Sequence, residues 1–417
     1  MIRNLTIINK CNKKSLHLIL WVIKNNKATK IANFKKEDWE MENGKVEIRQ
    51  VKTRKEKKEF INFPIKLYRN NENYVPLLSL DEMKIFDKKS IYYEDCDIIT
   101  FLAYKDGKVV GRIAGIEQKS YNKKNNAKRC RFSRFDVIND EEVAKALLNA
   151  VENWAKEKGL DTVNGPLGFN DLDREGLLIE GFDEQATFEE NYNAPYYKDL
   201  LEKCGYEKEV DYMAFSIIPP KQLDGRVKRI SDAVLSRYDL HLAKEKHIGK
   251  FLKLYKDQIF DVIDEAYGDL YGVIPYTEGL RKSIISQFRL LLSTNCICTI
   301  LDKNENVVAF GLGLPSLAKA VQKSKGRYLP FGIFRILKAR KTFKVFDFAL
   351  IGVRKEYVNS GINAIILQYI IEKCQDMGVE RLETNHSLET NDRILHTWKN
   401  FENHRQHKRF RCFIKSI

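Results

Sequence analysis

No stretch of the 417 residues reaches the roughly 18–20 consecutive apolar positions that a membrane-spanning helix needs. Histidine is scarce, with seven in the chain, and no two stand at helical spacing with a carboxylate between them. No metal site is therefore expected. The eight cysteines lie scattered at 11, 96, 130, 204, 296, 298, 374 and 412, which makes no disulfide framework. Cys296 and Cys298 sit inside an apolar run and read as small buried hydrophobes, not ligands. Together these absences describe a reducing, cytoplasmic setting. What is present, 43% hydrophobic and 31% charged residues, suits a folded globular chain of two or three domains.

The chain repeats itself weakly. Residues 98–104 and 109–115 alternate around Asp106-Gly107 and read as a hairpin. A second hairpin, 298–302 and 307–313, turns at 304–306. Each is followed by strand, helix, glycine and strand. In the first half these are residues 131–137, a helix over 140–158 with Asn139 as its N-cap, Gly159, and 162–164. In the second half Val345–Val353 is a buried strand, a polar loop spans 356–361, and an amphipathic helix follows. Gly378 stops that helix, and a strand spans 379–385.

The second half also carries an insertion at about 318–344. From Asn306 to Phe346 there is no Asp or Glu, yet nine Lys/Arg, from Lys319 to Lys344, surround the apolar run 328–337. Cations mixed with Phe, Ile and Leu suit contact with an anionic lipid face. A packed hairpin with solvated cations is the plainer reading, and nucleic acid ranks last.

A strand that delivers a loop and a helix N-terminus is a ready anion site, because free N–H groups and the positive end of the helix dipole face the ligand. The second half offers such a site at 353–363. The equivalent loop in the first half, 138–142, is acidic and repels phosphate. The duplicated pattern resembles the GNAT acyltransferase fold. That fold is α/β (α+β), here as two tandem domains, each a mixed central sheet flanked by helices. Val353 and Gly361 fall in register with the family's cofactor loop; Val358 stands where Arg or Gln is usual and Asn359 where the first glycine is usual. The resemblance implies acyl-CoA as co-substrate. Its pantetheine would run beside Leu350, Ile351, Gly352 and Val353, and its pyrophosphate would meet Val358, Asn359, Ser360, Gly361, Ile362 and Asn363. It further places Asn391 at the opening of a helix by the cofactor. Trp398 takes the position of the family's tyrosine acid and reads as a core aromatic. Residues 164–168, 176–183, 193–197 and 383–391 look like a two-domain bacterial subset that includes enzymes similar to bacterial ceramide synthases.

Amide formation from a thioester needs an oxyanion donor and a proton acceptor. The donor is expected to be a backbone N–H near Gly352. Glu383, His386 and Glu389, near the end of the last strand, are the candidate acceptors. Their plainer readings are a solvated strand-end charge and a surface histidine. Residues 170–175, with Tyr192, Tyr196 and Tyr197, form either a binding loop or an ordinary domain interface. The resulting expectation is a degenerate, acceptor-binding or structural domain over 46–220 and an acyltransferase domain over 225–417. The partners would be acyl-CoA or an acyl carrier and an amine acceptor, with the lipid amine of a sphingoid base as one form. Peripheral contact with the inner membrane face through Lys319–Lys344 goes with that reading. A tRNA-dependent aminoacyltransferase of the peptidoglycan-bridge type and a catalytically dead lipid- or partner-binding protein are the alternatives.

The first forty residues fit neither domain. Their apolar run 16–23 follows Lys13 and Lys14 as in a signal peptide, but no small-residue cleavage site follows. Residues 36–41 can be encoded by AAG GAG GAT TGG GAA ATG, which holds a bacterial ribosome-binding sequence before an ATG. Residues 1–40 are accordingly expected to be a translated leader or disordered, with Met41 as the true start. N-terminal sequencing of the native protein tests this; finding Met1 would refute it.

Overall fold

The computed structural model describes residues 44–222, 225–289, 291–399 and 401–417. The expectation for residues 1–40 lies outside the described residues. One sheet of 14 strands runs through both halves. The first half contributes β1 (Glu47–Gln50), the hairpin β2 (Cys96–Lys105) and β3 (Lys108–Gln118), then β4 (Arg129–Val137), helix α1 (Glu141–Glu157), β5 (Thr162–Gly165), β6 (Leu177–Glu180) and β7 (Glu207–Ile217). The second half starts with α2 (Gly225–Arg237), β8 (His241–Leu242), α3 (Ile248–Tyr267) and α4 (Glu278–Phe288). Its hairpin is β9 (Ile297–Leu301) and β10 (Val307–Pro315). The short helices α5 (Ala318–Lys323) and α6 (Gly332–Ala339) form the insertion. Then come β11 (Val345–Val353), α7 (Asn363–Asp376), β12 (Arg381–Thr384), β13 (Ser387–Leu388), α8 (Asp392–Lys399) and β14 (His404–Ser416).

The expected hairpin, strand, helix and strand therefore occur in both halves. Gly159 and Gly378 follow α1 and α7 with φ of 72° and 66°, the left-handed turn that ends a helix without a Cβ clash. The N-cap of α1 differs from expectation. Asp140, not Asn139, has the extended backbone of a cap, and its carboxylate accepts from Glu142 N at 3.0 Å and Val143 N at 3.2 Å.

In both halves the inner strands are parallel, β4 with β5 and β11 with β12. What lies beyond them is exchanged. β14, the end of the second half, pairs antiparallel with β5 of the first, Phe413 opposite Gly165. β7, the end of the first half, pairs antiparallel with β12, Leu382 opposite Ile217. β14 and β7 pair with each other from His404↔Ile217 to Ile414↔Glu207. The sequence division near residue 220 thus falls where the chain crosses over, not at a gap in the sheet.

A β-bulge interrupts each half at the same place: the extra residue lies on β4, between Ser133 and Asp136 opposite Ala114 and Arg112, and on β11, between Phe348 and Leu350 opposite Gly313 and Leu312. A bulge adds a residue to one strand and bends it. Here it splays β4 from β5 and β11 from β12, leaving a cleft in each half. The insertion packs on the first half: Ser79 N donates to Gly326 O at 2.8 Å, and Gln322 Nε2 donates to Glu72 O and Tyr74 O at 2.7 and 3.0 Å. Gly326 is required there, because a Cβ would lie 2.2 Å from Leu77 O.

Candidate active site

The ladder between β11 and β12 ends at Phe348↔Thr384. Asn385 closes it, donating from N to Phe348 O at 3.0 Å. Beyond that point β11 has a strand partner on its β10 side alone, and side chains meet its other edge. Arg354 N donates to Val308 O at 2.9 Å, so Gly352 faces β10 while the main-chain groups of Ile351 and Val353 face the cleft. Near Gly352, where the oxyanion donor is expected, the main-chain N–H groups that face away from β10 are those of Ile351 and Val353.

After the strand, residues 354–362 turn tightly. Asn359 has φ of 70° and Gly361 φ of 90°. An asparagine tolerates the left-handed region better than most residues, so Asn359 takes a conformation a glycine would supply. Among the described residues, the N–H groups of Asn359, Gly361 and Asn363 donate to no protein acceptor. They alternate along an exposed loop that opens α7. Asn391 caps α8, its Oδ1 accepting from Ile394 N at 3.4 Å. Trp398 is buried, donates to Ser387 Oγ at 3.2 Å and meets Phe348 edge-on, as a core aromatic does.

A cavity of about 200 Å³ lies between the halves, against the bulge of β11. Its walls are apolar, built from α3, α4 and β9–β11, with Phe251, Phe260, Phe288, Leu292, Leu314 and Leu350 among them. Its floor is polar and comes from both halves: Asp171, Glu175 and Glu189 of the first, His386 and Asn385 of the second, with Tyr212 of β7 between them. The Tyr212 and His386 rings are 5.5 Å apart, and Phe410 of β14 stands 4.2 Å from His386. Asp171 Oδ1, Glu175 Oε1, Tyr212 OH and His386 Nε2 are buried without a hydrogen-bond partner in the protein. A buried polar atom left unpaired costs about 1–3 kcal/mol, so these atoms call for a polar occupant, water or ligand, although Tyr212 and Glu175 also lie close enough to interact with each other.

Burial favours the neutral form of these groups. It pushes Glu175 up to about 8, with the Asp171 charge adding to the effect. Burial and then Glu190 push Glu189 up to about 7. Burial pulls His386 down to about 4, against the opposing charge of Glu190. The floor therefore holds groups close to exchanging a proton at neutral pH.

Of the three expected proton acceptors, the structure brings one to the cavity. His386 lines it. Glu383 points away into a buried cluster, where Arg381 Nε and His407 Nε2 each lie 2.8 Å from its oxygens, at ion-pair distance though off hydrogen-bond geometry. Glu389 is at the surface, accepting from Lys208 Nζ at 2.8 Å and from Asp211 N at 3.1 Å. Asp171 and Glu175 belong to the polar loop 170–175, whose sequence marked a strand-end loop but not which carboxylates point inward. Tyr212 and Tyr267 carry no sequence signal, since each is one aromatic of a buried element.

The first half has no comparable opening. Its cleft is filled by Arg112, which bonds Asp136 at 2.7 Å and Glu82 at 3.1 Å, and by Arg134, which bonds Asp173 at 2.9 Å. The splayed end of β4 is sealed too: Tyr196 OH donates to Val137 O at 2.7 Å and Val137 N donates to Tyr197 OH at 2.8 Å.

The raised Glu175 has a consequence for stability. The unfolded chain releases this proton near pH 4.5 and the folded chain near pH 8, so the folded state binds more protons between them and stability falls as pH rises. Glu175→Gln removes that slope. Urea unfolding is expected to show the variant gaining on wild type by on the order of a few kcal/mol between pH 5 and pH 8. A constant difference across that range would refute the assignment.

No family model matches the chain. It is 26% identical over 377 residues to Protein YghO of Escherichia coli K12, covering 89% of this chain and 95% of that one. It is 24% identical over 396 residues to the bacterial ceramide synthase of Caulobacter vibrioides, covering 90% and 98%. Among solved structures it is similar to a tandem GNAT protein from the clavulanic acid biosynthesis pathway, with a TM-score of 0.54, 9% identity, and 89% and 98% of the two chains covered. The chain thus has a tandem GNAT-like fold and is similar over nearly its whole length to a bacterial ceramide synthase.

Proposed function

We propose that the protein is an N-acyltransferase that moves an acyl group from a coenzyme A or acyl-carrier thioester to the amine of a long-chain base such as a sphingoid base. The cavity carries this reading. Apolar walls suit an alkyl chain, and a floor of Asp171, Glu175, Tyr212 and His386, each with a buried polar atom left unpaired, suits an amine bearing hydroxyl groups. The carbonyl carbon would lie beside Ile351, with pantetheine along Val353 and pyrophosphate at the free N–H groups of Asn359, Gly361 and Asn363. Similarity to a ceramide synthase supports a lipid amine over other amines.

The insertion supports delivery from a membrane face. Leu329, Phe331 and Phe334 are 77%, 64% and 67% exposed. They stand among Lys325, Arg327, Arg335, Lys338 and Lys341, and exposed Leu80 and Met83 of the first half lie on the segment that packs against Gly326. Among the described residues no helix is long and apolar enough to cross a membrane, so this would be a surface contact.

Thermal-shift titration with an acyl-CoA panel tests the cofactor. Wild type is expected to be stabilised, and Asn363→Glu to lose at least about tenfold in affinity, since an acid in the first turn suits the helix but repels phosphate. Equal binding by the variant would displace the proposed loop. Stabilisation by tRNA alone would favour an aminoacyltransferase instead. For the membrane face, flotation with phosphatidylglycerol vesicles should carry wild type upward and leave the Phe331→Glu/Phe334→Glu double variant behind. Equal flotation would refute docking through this surface.

A further inference from the structure

Tyr267, the last residue of α3, makes an unusual pair of contacts. Its hydroxyl donates to Ile351 O at 2.8 Å and accepts from Ile351 N at 3.2 Å. A strand's main chain ordinarily pairs with a neighbouring strand, but the ladder to β12 has ended at Phe348, so a side chain takes both groups. Tyr267 lines the same cavity as Ala349, Leu350 and His386. Burial pushes its hydroxyl up to about 12, so it remains a donor at neutral pH. The hydroxyl fills the place where a carbonyl oxygen would meet Ile351 N–H.

The geometry points to Tyr267 as a catalytic residue of acyl transfer, covering Ile351 N–H while no acyl group is bound and donating to the reacting oxygen once one is. This rests on the acyl-thioester reading above. Attack of the amine nitrogen forms the C–N bond and moves the carbonyl π pair onto oxygen. That oxygen displaces the hydroxyl from Ile351 N–H, the Tyr267 O–H turns from Ile351 O toward it, and the two groups donate to it together. Collapse restores the C=O bond and breaks the C–S bond. The proton lost by the amine nitrogen ends on the departing thiolate, so neutral amine and thioester give amide and thiol.

Tyr267→Phe in the full chain keeps the ring and removes the hydroxyl. With acyl-CoA and sphinganine, kcat is expected to fall by about 10²-fold or more while KM and the thermal shift given by acyl-CoA stay near wild type. A purely structural hydroxyl would lower the melting temperature and leave kcat unchanged, and that result overturns the assignment. A second measurement uses the acyl dithioester of coenzyme A, whose C=S sulfur accepts hydrogen bonds weakly. It should slow wild type more than Tyr267→Phe; equal slowing also overturns the role. Failure of the underlying reading is separable: wild type that neither binds nor turns over acyl-CoA overturns both, whereas an active wild type matched by Tyr267→Phe overturns Tyr267 alone.

Discussion

The pairing of β14 with β7 fixes where everything else lies. Each of these strands completes the sheet of the opposite half, so neither half closes its sheet without the other. The junction is cemented by a buried ion cluster. Lys408 of β14 contacts Glu190 of the first half and lies 3.7 Å from Glu383 of β12, and all three are almost fully buried. Burying charge is expensive, and such a cluster adds little net stability over apolar residues. Its effect is on register. A slip of β14 by one residue would flip Lys408 to the other face and leave Glu190 buried and unpaired, at a cost of about 3–5 kcal/mol.

That register assembles the cavity floor. Tyr212 of β7 sits opposite Phe410 on one side and Leu388 of β13 on the other. His386, one residue before β13, is thereby brought against both Tyr212 and Phe410. The floor then collects carboxylates from the first half and an imidazole from the second. The halves have diverged in complementary ways. Arg112 and Arg134 fill the cleft of the first half with ion pairs, while the second half keeps an open strand edge and apolar walls. One half supplies the open strand edge and the other supplies acid groups to the floor beside it.

Local features were legible in the sequence because local chemistry sets them. Val345–Val353, both hairpins, Gly159, Gly378 and the acid-free insertion depend on nearby residues alone. The strand exchange depends on pairing between positions about two hundred residues apart, which no local pattern encodes. The fate of Glu383 and His386 shows the same limit at finer scale. Alternation along a strand sends Glu383 to the face opposite Leu382, but it does not say that Lys408 and His407 wait there. His386 escapes alternation because β12 ends at Thr384 and Asn385 turns the chain. The N-cap moved by one residue because Asn139 and Asp140 are both good caps, and the exit of the chain from β4 decides between them.

The neutral floor also bears on how an amine becomes a nucleophile. A long-chain amine is an ammonium ion in water, and an ammonium ion cannot attack a thioester. Bound about 4 Å from a carboxylate, it would be favoured by about 4 kcal/mol at an effective dielectric near 20. That corresponds to about three pK units, enough to draw Glu175 from about 8 to below neutrality and make it ionise. Burial also disfavours the ammonium, which offsets part of that attraction and brings the ion pair closer in energy to a neutral amine beside a neutral acid. Moving the proton to the carboxylate would yield the free amine beside the strand edge at Ile351. On the proposed function, the same apolar walls that would hold the alkyl chain would also supply the low polarity that frees the amine, so one set of side chains would serve both substrate choice and activation.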